Sequence, residues 1–182
     1  MPPKPNTVDE SILLIATRLA DPMANGSRAA LRRMQPAALG TPALQRLLAE
    51  AVPQGGTISD AGWALLVNCM AIAAPHQHIR GARLGQELAK ASFAESRLIR
   101  LLSPSADLNV VLPRTVRFLV ARGGQLNGRD LFELIRPALR ANPDAAALDR
   151  ARTQIARDYY RADSTHAAAI TVLDSLEPET LP

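Results

Sequence analysis

Apolar positions along this chain recur with a period near 3.6, and the breaks between them carry helix-type punctuation. Ile12, Ile15, Ala16 and Leu19 line one face of a predicted first helix over about 9–19. After a turn at Asp21-Pro22, Ser27 is placed to cap a short helix reaching 34. Thr41-Pro42 supplies an N-cap and an N1 proline for a helix to about 52, and Gly55-Gly56 closes that section. Ser59 or Asp60 opens a strongly apolar helix over 63–74, stopped by Pro75. The next helix is expected over 81–90. Ser92 with Glu95 reads as a capping box for another ending near 102. Ser105 begins a longer helix that ends at Gly123-Gly124, Asn127 starts one to about 140, and Asn142-Pro143 starts a last long one to about 160.

Two prolines disturb the pattern. Pro113 is expected to kink or break its helix, because its ring clashes with the carbonyl four residues back, and Pro137 does the same near the end of its own. Strand signals are scarce, since Asn25-Gly26 leads straight into a helical pattern. The expectation is an all-α fold of about eight helices with short connections, a compact bundle of two small helical halves with a seam near 75–80. Residues 1–161 form the domain. Residues 162–182 form an acidic tail, with one more short helix over 167–173.

Composition sharpens this picture. Apolar residues make up 47% of the 182, enough for a buried core, but aromatics only 3%, so that core is aliphatic and suits packed helices. No run of 18 apolar residues exists, which argues against a membrane span. Lys4 and prolines followed by Asp9 and Glu10 do not read as a secretory leader, and a cytoplasmic protein is expected. The single Cys69 forms no internal disulfide.

The net charge of +4 is unevenly placed. All 21 basic residues lie in 1–161 against 13 acids, whereas the tail carries Asp163, Asp174, Glu177 and Glu179 and no base. All but Lys4 and Lys90 of the basic residues are Arg, whose planar fork matches phosphate oxygens and stacks on bases. A GC-rich genome would also favour Arg. The positive body points to a polyanionic partner.

Catalytic parts are thin. His76-x-His78 has no accompanying ligand cluster, so no metal is expected. The carboxylates show no paired-acid spacing, and Gly123-Gly124 lacks the Lys-Ser/Thr partner of a phosphate loop, so neither enzyme chemistry nor a cofactor is expected. The arginines do organise. Arg28 and Arg32 share a helix face, with Arg33 beside them and no acid between Asp21 and Glu50. Arg97 and Arg100 are three apart, as are Arg114 and Arg117. Arg150, Gln154, Arg157 and Arg161 form a stripe on the last helix. Such clusters bind phosphates without sequence preference and with strong salt dependence. The competing reading of each is a solvated helix face, which the lack of nearby acids disfavours for Arg28, Arg32 and Arg33. Tyr159-Tyr160 reads as helix-end packing or, for the exposed ring, a base-stacking platform.

These residues resemble a known family. The run from Asn25 through Arg28, Leu31, Arg32, Arg33 and Met34, followed by Pro36, Pro42 and the Leu44 to Leu48 helix, resembles the N-terminal signature of CasB-type small subunits of type I-E CRISPR Cascade complexes. Leu84-Gly85-Gln86-Glu87-Leu88-Ala89, the Glu95 to Leu102 segment and the Arg150 to Tyr160 segment are similar to later stretches of that family, in order, over roughly 10–161. The resemblance implies an all-α, non-catalytic subunit for antiviral defence, present with a second copy of itself beside the guide RNA and the other Cascade subunits. It would help hold the guide–target hybrid and single-stranded target DNA of the R-loop. Arg28, Arg32 and Arg33 match the family's basic N-terminal helix, and Arg97 its second basic position. Arg114 and Arg117 fall where members carry another basic pair, although Pro113 departs from the usual uninterrupted helix. Two other readings remain: a helical regulator on duplex DNA, for which no segment gives a convincing recognition helix, and a structural adaptor whose arginines meet acidic protein surfaces.

Overall fold

The computed structural model describes residues 5–53, 58–140 and 142–174, and the side chains among them other than those of Met23 and 165–174. The described residues form nine α-helices and no strand. They are α1 (Val8–Ala20), α2 (Asn25–Arg33), α3 (Pro42–Ala51), α4 (Asp60–Ala73), α5 (Leu84–Lys90), α6 (Glu95–Leu102), α7 (Leu108–Ala121), α8 (Gly128–Ala138) and α9 (Ala145–Asp174), with a 3₁₀ turn Pro22–Ala24 between α1 and α2. The fold is all-α, as the periodicity predicts.

The helix at the centre is α4, which packs against α2, α7 and α8 and also touches α1 and α3. Twelve of its residues, from Gly62 to Ala73, are buried. A helix that is apolar on every side has to be enclosed, and this one is. Trp63 meets Phe132 of α8 with ring centroids 5.5 Å apart, and the surrounding core is aliphatic. Helices α5 and α9 cross in close contact. A Cβ built on Gly85 would stand 2.2 Å from the Ile155 carbonyl oxygen and 2.8 Å from the Tyr159 nitrogen. Glycine is required there because no side chain fits between the two backbones.

Caps explain most boundaries. Thr7 and Glu10 form a capping box at α1. The Ser59 hydroxyl accepts the Gly62 N–H at α4, and Asn127 accepts the Arg129 N–H at α8. Elsewhere the structure corrects the sequence reading. Helix α2 begins at Asn25, without a side-chain cap from Ser27. The expected Ser92–Glu95 box does not form, because Ser92 lies at φ 55 and ends α5. Its N–H reaches the Ala89 carbonyl at 2.9 Å and that of Phe93 reaches Leu88 at 2.9 Å, the paired closure of a helix C-terminus usually given to glycine.

Helix α7 starts at Leu108, capped by Asp107 rather than Ser105, and runs through Pro113 without breaking. At the sixth helical position, Pro113 removes only one early bond of the ladder. Helix α9 begins after Asp144, whose carboxylate accepts the Ala147 N–H at 2.9 Å, and not at Asn142. It continues past Tyr160 to Asp174, so the separate short helix expected over 167–173 is part of it. No Gly or Pro stands between Ala145 and Asp174 to stop it. The expected turn at Gly55-Gly56 and the tail acids Glu177 and Glu179 lie outside the described residues.

Candidate nucleic-acid interface

The four arginine groups read from the sequence meet different fates. On α2, Arg28 is half-buried. It donates to the Leu19 carbonyl at 3.0 Å and to the Asn25 side-chain oxygen, closing the end of α1. Arg32 is half-buried too, with Nε 2.6 Å from the Ala71 carbonyl oxygen and Nη2 2.8 Å from that of Ala74. The last carbonyls of a helix have no partner within it, so Arg32 acts as the cap of α4. The relation is mutual. Buried Asn68 of α4 donates to the Leu31 carbonyl at 2.7 Å and to that of Met34 at 3.3 Å, and Arg117 of α7 reaches the Arg32 carbonyl at 3.3 Å. Of this first group, Arg33 alone is exposed.

The second and third groups come together. Helices α6 and α7 pack side by side and place Arg97, Arg100 and Arg114 around a cleft of about 240 Å³. Phe93, Val111, Thr115 and Phe118 line it as well. The three arginines are exposed, and none forms an ion pair among the described residues. Glu95, the acid nearest in sequence, accepts the Tyr160 hydroxyl instead, at 2.7 Å. That bond raises the Tyr160 phenol above its ordinary value.

Phe118 organises the charge. The guanidinium of Arg97 lies 5.4 Å from its ring centroid and that of Arg122 lies 5.5 Å away, attracted by the negative face of the ring. Phe93 meets Phe118 edge to face at 5.1 Å. Arg122 was not singled out from the sequence. Its signal was present, since Phe118 precedes it by four residues and therefore shares its helix face.

On α9, Arg150, Arg157 and Arg161 are exposed. Gln154, in the same row, donates to Asp158 at 2.9 Å. Asp158 is buried and holds Arg83 at 3.0 Å, so that side of α9 belongs to the packing against α5. Arg152 donates to the Ser103 carbonyl at 3.0 Å and ties α9 to the end of α6. Tyr159 is buried with its hydroxyl on the Phe93 carbonyl at 2.5 Å, while Tyr160 is half-exposed.

The remaining reactive groups do not converge. Among the described residues no three of His, Cys, Asp and Glu cluster as metal ligands. Burial and neighbouring Arg80 push the His78 imidazole below its ordinary value. Burial pushes the Cys69 thiol far up, so it stays protonated. No helix among the described residues is long and apolar enough to cross a membrane.

The arrangement of these helices is a CasB-like all-α fold. The match behind that statement is the crystal structure of CasB from Thermobifida fusca, with a TM-score of 0.61 and 20% identity over 84% of this chain and 94% of that one. At that identity the likeness establishes the fold. No protein-family model and no curated protein matches the sequence.

Proposed function

We propose that this chain is the non-catalytic small subunit of a type I-E CRISPR Cascade complex, using arginine clusters to steady the guide RNA–target DNA hybrid and the displaced strand. The fold shared with CasB is the observation that carries the proposal. The face formed by α6 and α7 supports it. Arg97, Arg100 and Arg114 have no acidic partner among the described residues, and uncompensated guanidiniums fixed on two packed helices suit a phosphate backbone. Its partners in this reading are the guide RNA, the target DNA, the other Cascade subunits and a second copy of the chain, in the cytoplasm.

The test is co-expression with the backbone subunits of a type I-E Cascade from the same genome and a guide RNA. Co-purification of this chain with the guide-bound complex is expected. A triple variant R97A/R100A/R114A should still assemble but release target DNA at lower salt. Failure to assemble, or the absence of such subunits from that genome, overturns the proposal.

A further inference from the structure

The cleft between α6 and α7 has a property that phosphate binding alone does not call for: an apolar interior. Two of the chain's three phenylalanines line it, in a sequence only 3% aromatic. At about 240 Å³ it falls below the roughly 300–1,000 Å³ of clefts that enclose a whole small ligand. It therefore suits one apolar, flat part of a longer molecule. The three arginines around it add uncompensated positive charge, and among the described residues no acid lines it. The occupant thus has a flat apolar unit flanked on its chain by negative groups.

Resting on the reading above, we propose that this cleft receives one unpaired nucleobase of a bound single strand, with Arg97, Arg100 and Arg114 on the neighbouring phosphates. A base inside a duplex has its faces covered by its neighbours, so only an unpaired one enters. The Arg97 guanidinium, held against Phe118, gives such a base a second surface to stack on. Binding there is tolerant of sequence, because every base has a π-face.

The experiment uses the full chain and a fluorescein-labelled 12-nucleotide oligothymidine. The comparisons are an abasic oligonucleotide of equal length and charge, a duplex, and poly-glutamate as competitor. Oligothymidine should bind at least about fivefold tighter than the abasic strand. Val111→Trp, which fills the cleft without changing charge, should remove that preference and leave the salt slope unchanged. Equal affinity for the two strands, with the same salt slope, overturns the base receptacle while phosphate binding stands. Absence of nucleic-acid binding at low salt overturns nucleic-acid contact by the isolated chain as well. Competition by poly-glutamate as strong as by oligothymidine of equal charge assigns the face to an acidic protein and overturns the inference. Photocrosslinking of a 5-iodouridine strand to the unaltered protein covers a Val111→Trp chain that fails to fold: peptides from α6 or α7 support the cleft, and peptides confined to other helices overturn it.

Discussion

Replacing Arg32 by Ala should damage the fold, whereas replacing its neighbour Arg33 should not. Arg32 donates two charge-assisted hydrogen bonds to the closing carbonyls of α4, at 2.6 and 2.8 Å. Such bonds contribute about 1.5–3 kcal/mol each. Arg32 is half-buried, so water replaces part of what is lost, and a total near 3 kcal/mol is expected. For a chain of this length each kcal/mol shifts the melting midpoint by roughly 2–4 °C, which puts R32A about 9 °C below the parent. R33A removes an exposed side chain and should stay within about 0.5 kcal/mol. R32K should fall between, because an ammonium serves one carbonyl well but not both in the fork geometry. The assay is thermal unfolding followed by helical circular dichroism at fixed salt. An R32A protein melting within 2 °C of the parent, or R33A melting lower than R32A, refutes the capping argument.

Two further outcomes follow from the backbone. G85A should lose roughly 2–3 kcal/mol by chemical denaturation, since its methyl would overlap the Ile155 carbonyl and force α9 off α5; a loss below 0.5 kcal/mol would mean the crossing adjusts freely. S92G should gain roughly 0.5–1 kcal/mol in the same assay, because glycine accepts the φ of 55 that serine holds at a cost; a loss of stability would show that Ser92 has a compensating partner.

What the sequence disclosed was whatever depends on near neighbours. Thr41-Pro42, Ser59 and Asn127 mark helix starts by local chemistry, and each helix begins there. The apolar run over 63–74 announced a strongly apolar helix in the same way, and the structure places it at the centre. Ser92 misled because a serine three residues before a glutamate resembles a capping box, and nothing local says its φ is positive. The partners of Arg28 and Arg32 were hidden for a different reason. The scarcity of acids around them suggested free charge, but Arg32 donates to two backbone carbonyls, and Arg28 to one besides the Asn25 side chain. Carbonyls, which every residue carries, leave no trace in a sequence. Ala71 and Ala74 stand 39 and 42 positions from Arg32. The joining of Arg97 and Arg100 to Arg114 was equally hidden, because it is made by the packing of α6 on α7. The Arg114–Phe118–Arg122 ladder was legible and went unread.

The enclosure of α4 has a consequence for synthesis on the ribosome. Its cover comes partly from α2, already made, and partly from α7 and α8, which lie C-terminal to it. Some 65 residues separate the end of α4 at Ala73 from the end of α8 at Ala138. At roughly 5–20 residues per second, the nascent chain holds a helix sticky on one side for about 3–13 s before its cover arrives. During that interval the closures supplied by Arg32 and Asn68 are already available, since α2 precedes α4. They can dock the exposed helix on its upstream neighbour and leave only the α7–α8 side for a chaperone to shield.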